Sequence, residues 1–204
     1  MRSIQYPSGS VSSSANVSIT KNQKTGYASR GMFLENLINQ SNDYYLSKKV
    51  AVIHKKPTPI QVVTVHYPKR SAAVITEAYY KNASTTDYNG VYRGQYIDFE
   101  AKETKNKTSF PLKNIHDHQL EHMKCCLQQK GIVFVILYFS SLNEFYLLES
   151  SYLISYIETN KGKTSLPLSY IQKFGYSIQV TIQSILDYIP VVDQVIDQQQ
   201  IIKE

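Results

Sequence analysis

Two carboxylates and a lysine occur together at a spacing that could support phosphodiester cleavage. Asp87 precedes Tyr88-Asn89-Gly90, which is typical of a tight hairpin turn, and Glu100 and Lys102 follow with one residue between them. Side chains on a strand alternate between its two faces, so Glu100 and Lys102 are predicted to share a face. The sequence therefore predicts one polar cluster of two acids and an amine.

This cluster has the composition of a magnesium site. Hydrolysis of a phosphodiester needs an activated water and compensation for the negative charge of the transition state, and a bound Mg²⁺ can supply both. Asp87 and Glu100 are the candidate ligands. Lys102 could orient the attacking water, offset charge on the phosphorus centre, or act as a base.

The same residues also allow simpler interpretations. Acids and bases at alternate strand positions commonly pair on a solvated sheet face, and Asp98 shares that face without an assigned role. His118 and His122 form an i, i+4 pair of the kind that can bind zinc. The stretch HDHQLEH lacks the HExxH arrangement and no cysteine is well placed beside it, which favours a polar helix start.

Length and composition narrow the class of protein. The 204 residues suit one domain, and the moderate net charge of +6 favours phosphate-rich or acidic partners but also fits a basic globular protein with no nucleic-acid role. The two cysteines are adjacent and form no CxxC pair, which predicts a reducing, cytoplasmic location. The apolar run from Gly131 to Phe139 is too short to span a bilayer, so no membrane association is predicted. No GxSxG or GxGxxG motif and no Gly-rich phosphate loop is present.

The pattern of hydrophobic residues predicts three regions. Residues 1–27 are rich in Ser, Asn, Thr and Lys and are predicted to form a mobile arm. Residues 28–190 are predicted to form the folded domain, and residues 191–204 a C-terminal tail. The predicted elements are a helix over the apolar repeat from Met32 to Tyr45, strands at 50–56, 92–102, 131–139 and 144–148, and helices at 114–129 and 151–158.

A segment with prolines at 57, 59 and 68 separates the first strand from Asp87. Its alternating valines predict an extended hairpin, with Lys55, Lys56, Lys69 and Arg70 at the two ends. Such a hairpin could contact DNA, or it could be an ordinary surface hairpin.

Longer motifs resemble a known family. The stretches IHKKPTP, HYPKRSAAVI, STTDYNG, IDFEAKETKNKTSFPL and HDHQ-EHM are similar to the RecU family of Holliday junction resolvases, from Arg30-Gly31 to about Leu148. The resemblance implies an α/β (α+β) fold with a restriction-endonuclease-like mixed central sheet, flanking helices and a projecting stalk hairpin at about 54–80. It further implies a magnesium-dependent nuclease of the PD-(D/E)xK superfamily, with Mn²⁺ as a possible substitute. Such enzymes are homodimers that cut four-way junction DNA at two symmetric points, and a recombinase is a possible further partner.

The resemblance also implies roles for single residues. The metal ligands would be Thr85, Asp87, Glu100 and Gln119, with Lys102 stabilising the transition state and Glu35 as an auxiliary acid. Thr86 occupies the position where the superfamily motif has proline. Candidate contacts to DNA phosphates are Arg30, Lys55, Lys56, Lys69 and Arg70.

Two other functions remain compatible with the sequence. One is a catalytically silent protein that binds or anneals branched DNA. The other is a restriction-type nuclease that cuts linear duplex as readily as branched DNA.

Overall fold

The computed structural model describes residues 32–69, 72–81, 85–181 and 186–201. The predicted N-terminal arm, Arg30 and Arg70 lie outside the described residues. The helices are α1 (Met32–Ser47), α2 (Asp117–Gln128), α3 (Ser150–Thr159), α4 (Leu168–Phe174) and α5 (Ile189–Ile201). The strands are β1 (Val52–Lys55), β2 (Ile60–His66), β3 (Val74–Tyr80), β4 (Tyr88–Tyr92), β5 (Gln95–Thr104), β6 (Ser109–Pro111), β7 (Ile132–Phe139), β8 (Glu144–Glu149), β9 (Ser165–Pro167) and β10 (Tyr176–Ile178).

A mixed sheet of six strands, in the order β1-β4-β5-β7-β8-β10, forms the centre of the fold. Strands β5 and β7 are parallel, and the other neighbours pair antiparallel. Every residue of β7 is buried, as its continuous apolar sequence predicted for a strand covered on both faces. The mixed α+β class expected from the sequence is confirmed.

The two faces of the sheet pack against different helices. Phe134 and Ile136 of β7 belong to a core that includes apolar residues of α1 and α5, whereas Val135 and Leu137 belong to a core that includes residues of α2, α3 and α4. Residue Glu100 of β5 pairs with Val135, so its side chain points toward the α2 side of the sheet. This register decides which helix can cover the acidic cluster.

The predicted turn at Tyr88-Asn89-Gly90 is wrong, because these residues begin strand β4. The chain instead turns at Arg93 and Gly94, which have φ angles of +50° and +73°. Gly90 is needed inside the strand because β1 passes very close to it. A Cβ at this position would lie 2.1 Å from the carbonyl oxygen of Val52.

Substitution of Gly90 by Ala should therefore destabilise the sheet. The added methyl group must push β1 away from β4, and overpacking of this kind costs about 1–3 kcal/mol. For a chain of this size we expect the melting temperature to fall by roughly 3–10 °C in thermal unfolding. Val91→Ala is the matched control, since Val91 is half exposed in the same strand. An unchanged melting temperature for Gly90→Ala would contradict the close approach of the two strands.

The C-terminal residues 189–201 form helix α5, although the sequence predicted a tail from residue 191. Val192 and Val195 are buried against the same core as α1. Arg93 ties the β4–β5 turn to this helix through ion pairs with Asp193 at 2.9 Å and Asp197 at 3.0 Å. The sequence missed this helix because its amphipathic pattern is interrupted by a polar end.

The hairpin of β2 and β3 forms a separate two-stranded sheet in which every residue is exposed. Within the predicted stalk of about 54 to 80, the paired strands are therefore at 60–66 and 74–80, whereas residues 54 and 55 belong to β1 of the central sheet. Large apolar side chains are exposed on it, including Val63, Tyr67 and Tyr80. An isolated two-stranded hairpin is marginally stable in water, so this surface is suited to contact another molecule.

Candidate metal and DNA site

Glu100 is the central residue of the site and is fully buried, with 0% of its surface exposed. Its Oε2 accepts a hydrogen bond from the backbone N–H of Asp87 at 3.1 Å. The Lys102 ammonium lies 2.7 Å from Oε1 as an ion pair, although this oxygen has no hydrogen bond of acceptable geometry. The structure thus brings Asp87, Glu100 and Lys102 together, and their surroundings are not a solvated sheet face.

The environment of Glu100 disfavours its charged form. Burial is the main cause that raises its pKa to about 8, and Asp87 adds to the shift, while Lys102 acts in the opposite direction. A divalent cation beside this buried carboxyl group would add positive charge to that of Lys102 and stabilise the carboxylate.

Asp87 lies between two cavities. The larger, of about 370 Å³, is lined by Thr85 and by the chain that leads into the stalk, including Lys56 and Pro57. The smaller, of about 110 Å³, is lined by Glu35 and Glu103. Glu35, the auxiliary acid implied by the resemblance, lines the same cavity as Asp87. Its carboxylate forms an ion pair with Lys55.

Gln119 lies in the first turn of α2 and is buried, with 5% of its surface exposed. Its Oε1 accepts a hydrogen bond from the backbone N–H of His116 at 3.1 Å and so caps the start of the helix. The cap explains why α2 begins at Asp117, three residues later than predicted. The Gln119 amide oxygen, which the resemblance implies as a metal ligand, is therefore engaged in a helix-capping hydrogen bond in this structure.

The basic residues proposed for DNA differ in their surroundings. Lys56 is largely buried, and its ammonium donates to Asp98 Oδ2 at 2.7 Å and to Thr86 Oγ1 at 2.9 Å. Its backbone N–H also donates to the carbonyl oxygen of Asp87 at 2.7 Å. Lys56 therefore fixes the segment that contains Asp87, whereas Lys69 is exposed beyond β2.

Asp98 is the centre of a second polar cluster that the sequence did not predict. Tyr96 donates to its Oδ2 at 2.8 Å, and Thr86 donates to its other oxygen. Burial acts to raise the pKa of Asp98, but the hydrogen bonds from Lys56, Thr86 and Tyr96 outweigh it and lower the pKa below the usual value. His122 Nε2 approaches the same carboxylate at 3.3 Å.

The prediction that no cysteine is well placed beside the histidine pair is wrong. Cys126 Sγ lies 3.5 Å from His122 Nε2, one helical turn further along α2. The i, i+4 spacing of His122 and Cys126 predicts that their side chains are neighbours on a helix. The pair lies next to Asp98 because this face of α2 packs against β5.

The donor atoms around Asp87 fit a hard divalent cation. Carboxylate and hydroxyl oxygens are ligands that Mg²⁺ prefers, and Asp87, Glu100 and Thr85 carry such oxygens in this part of the structure. The site thus combines a buried acid, Glu100, with Lys102 on a mixed α+β fold that carries an exposed hairpin. These features define a candidate metal-dependent nuclease.

Comparison with known proteins supports this class. The family model of RecU, described as Recombination protein U, matches residues 29–194, and the chain belongs to this family. The chain is 56% identical over 190 residues to the Holliday junction resolvase RecU of Streptococcus gordonii, covering 93% of each protein. It is 55% identical over 194 residues to the Holliday junction resolvase RecU of Geobacillus kaustophilus, covering 94% of this chain and 97% of the relative.

A solved structure of Hjc, a Holliday junction resolvase from Archaeoglobus fulgidus, is similar with a TM-score of 0.41 and 10% identity, covering 72% of this chain and 95% of that chain. Within the described residues, no helix has both the length and the apolar character needed to cross a bilayer.

Proposed function

We propose that this chain is a magnesium-dependent endonuclease that resolves Holliday junctions by cutting two strands symmetrically, in the cytoplasm, during recombination and repair. Membership of the RecU family supports this function, since the relatives are named as Holliday junction resolvases. The observation in the structure that supports it most is the burial of Glu100 between Asp87 and Lys102. The nuclease domain in this proposal extends through α5.

Thr85, Asp87, Glu100 and Gln119 are the proposed ligands of the cation. When bound, Mg²⁺ supplies an acidified water and a positive charge beside the scissile phosphate. Asp87 and Glu100 fix the position of this charge because the hydrogen bond between them joins the start of β4 to β5. Gln119 must release its cap bond to His116 to take this role.

Lys102 has the proposed role of stabilising the transition state. Its side chain is 20% exposed and its ammonium lies 2.7 Å from Glu100, so its positive charge is beside the proposed cation site. Partial exclusion of water strengthens its attraction to the negative charge that develops on the phosphate oxygens.

Substitution of Lys102 by Met should lower the rate of cleavage by about 10²–10³-fold, the usual loss when one stabilising donor is removed. Binding of the junction should change little, because a single lysine contributes little to a large phosphate interface. Single-turnover cleavage and gel-shift affinity measure the two effects. Lys105→Met, at an exposed position just beyond β5, is the control. A Lys102→Met protein with the wild-type rate would contradict this role.

We further propose that the active form is a homodimer in which the β2–β3 hairpin projects into the junction. The exposed apolar residues of the hairpin and the two-fold symmetry of an open junction support this arrangement. Lys69, Arg70 and Arg30 are proposed contacts to DNA phosphates, together with Lys55 once it releases Glu35. Such a device distinguishes branched from linear DNA by shape rather than by base sequence. A recombinase is a further proposed partner.

Titration of magnesium with a synthetic four-way junction tests the function. We expect two symmetric incisions that require the metal, and much slower cleavage of a linear duplex of the same sequence. Junction binding without incision at any concentration of Mg²⁺ or Mn²⁺ would instead identify a silent branched-DNA-binding protein. Equal cleavage of the two substrates would identify a nuclease of the restriction type.

A further inference from the structure

Strand β5 and helix α2 bring together three side chains with different metal-binding atoms. The carboxylate of Asp98, the ring nitrogen of His122 and the sulfur of Cys126 all lie within 4.8 Å of one another. Nε2 of His122 is 3.3 Å from Asp98 Oδ2 and 3.5 Å from Cys126 Sγ. The proposed nuclease site uses none of these three side chains.

A single strong hydrogen bond accounts for only one of the two contacts of His122. Nε2 of His122 carries at most one hydrogen, yet it faces both the carboxylate of Asp98 and the sulfur of Cys126. If Nε2 donates to Asp98, it cannot also accept a hydrogen from the thiol. A cation in the centre would use the lone pairs of all three atoms at once.

The two distances at His122 match edges of a tetrahedral zinc site. Typical bonds from zinc to nitrogen, oxygen and sulfur place a nitrogen and an oxygen ligand ~3.3 Å apart and a nitrogen and a sulfur ligand ~3.5 Å apart. These values agree with the two distances at His122. The mixed set of oxygen, nitrogen and sulfur also favours zinc over magnesium, which prefers oxygen alone.

We propose that Asp98, His122 and Cys126 form a zinc-binding site that is separate from the Asp87–Glu100 site. A cavity of about 410 Å³ lined by His122 and Cys126 leads to it and leaves room for water as a fourth ligand. Cys125 lines the same cavity but is exposed, and it is not required as a ligand.

Lys56 competes with the cation for this site. Its ammonium lies 2.7 Å from the Asp98 oxygen that faces His122, so it must leave when zinc binds. The cavity of about 370 Å³ beside Lys56 gives the side chain a place to move. Removal of the ammonium should therefore strengthen the binding of the metal.

Titration of the full chain with Co²⁺, a spectroscopic substitute for zinc, tests the proposal. We expect a thiolate-to-cobalt absorption band in the wild type and in Cys125→Ser, and none in Cys126→Ser. The band should survive a large excess of magnesium, and zinc should abolish it by displacing cobalt. Lys56→Met should lower the dissociation constant about tenfold or more, and circular dichroism of each variant verifies folding.

Several results would overturn the proposal. No band in the wild type, or a band that persists in Cys126→Ser, would exclude Cys126 as a ligand. A band lost on addition of magnesium would place the cobalt at oxygen ligands instead. An unchanged dissociation constant in a folded Lys56→Met protein would show that the metal does not displace Lys56 from Asp98.

Discussion

Asp87→Asn should lower the rate of junction cleavage by at least about 10³-fold while leaving the affinity for the junction nearly unchanged. Asn retains the shape of Asp but is a far weaker ligand for Mg²⁺, and loss of the metal removes several kcal/mol of transition-state stabilisation. The backbone N–H of residue 87 still donates to Glu100, so the fold of the site should persist.

Single-turnover cleavage at saturating magnesium measures the effect of this substitution, and a gel shift in calcium measures the affinity. Asp117→Asn is the matched control, because this exposed aspartate in the first turn of α2 has no place in the proposed site. A cleavage rate within tenfold of the wild type for Asp87→Asn would remove Asp87 from the catalytic machinery.

Glu100→Gln should abolish cleavage to a similar extent and, at the same time, stabilise the metal-free protein. Burial raises the pKa of Glu100 from 4.5 to about 8. Between pH 4.5 and about pH 8, Glu100 is therefore protonated in the folded protein and ionised in the unfolded chain. The free energy of unfolding of the wild type therefore decreases as the pH rises through this range. Gln is uncharged and removes this penalty.

Thermal unfolding at two pH values separates this role from a purely structural one. Near pH 8 and without metal, we expect Glu100→Gln to melt about 5 °C or more above the wild type, and near pH 4.5 the difference should largely vanish. Magnesium should raise the melting temperature of the wild type but not that of the variant. A variant that is less stable at pH 8 would mean that Glu100 supports the fold as a charged partner of Lys102.

The sequence by itself determined those features that depend on local geometry. The alternation of side chains on a strand placed Glu100 and Lys102 on one face of β5 and Phe99 on the other. The continuous apolar run of β7 predicted a strand covered on both faces. The apolar repeat from Met32 to Tyr45 predicted helix α1, in which Leu34, Ile38 and Tyr45 are buried and Met32 is exposed. The motifs that resemble the RecU family located Thr85 and Gln119 as candidates, which spacing alone did not.

The tertiary structure decided everything that depends on segments far apart in the chain. Gly90 belongs to a strand rather than a turn because β1 passes against it, and residues 191–201 form a helix because a core is present to bury their valines. Lys56 and Asp98 are 42 positions apart, and His122 lies 24 positions beyond Asp98, so no local pattern could reveal their contacts. The burial that raises the pKa of Glu100 likewise depends on packing around β5, which local strand geometry does not specify.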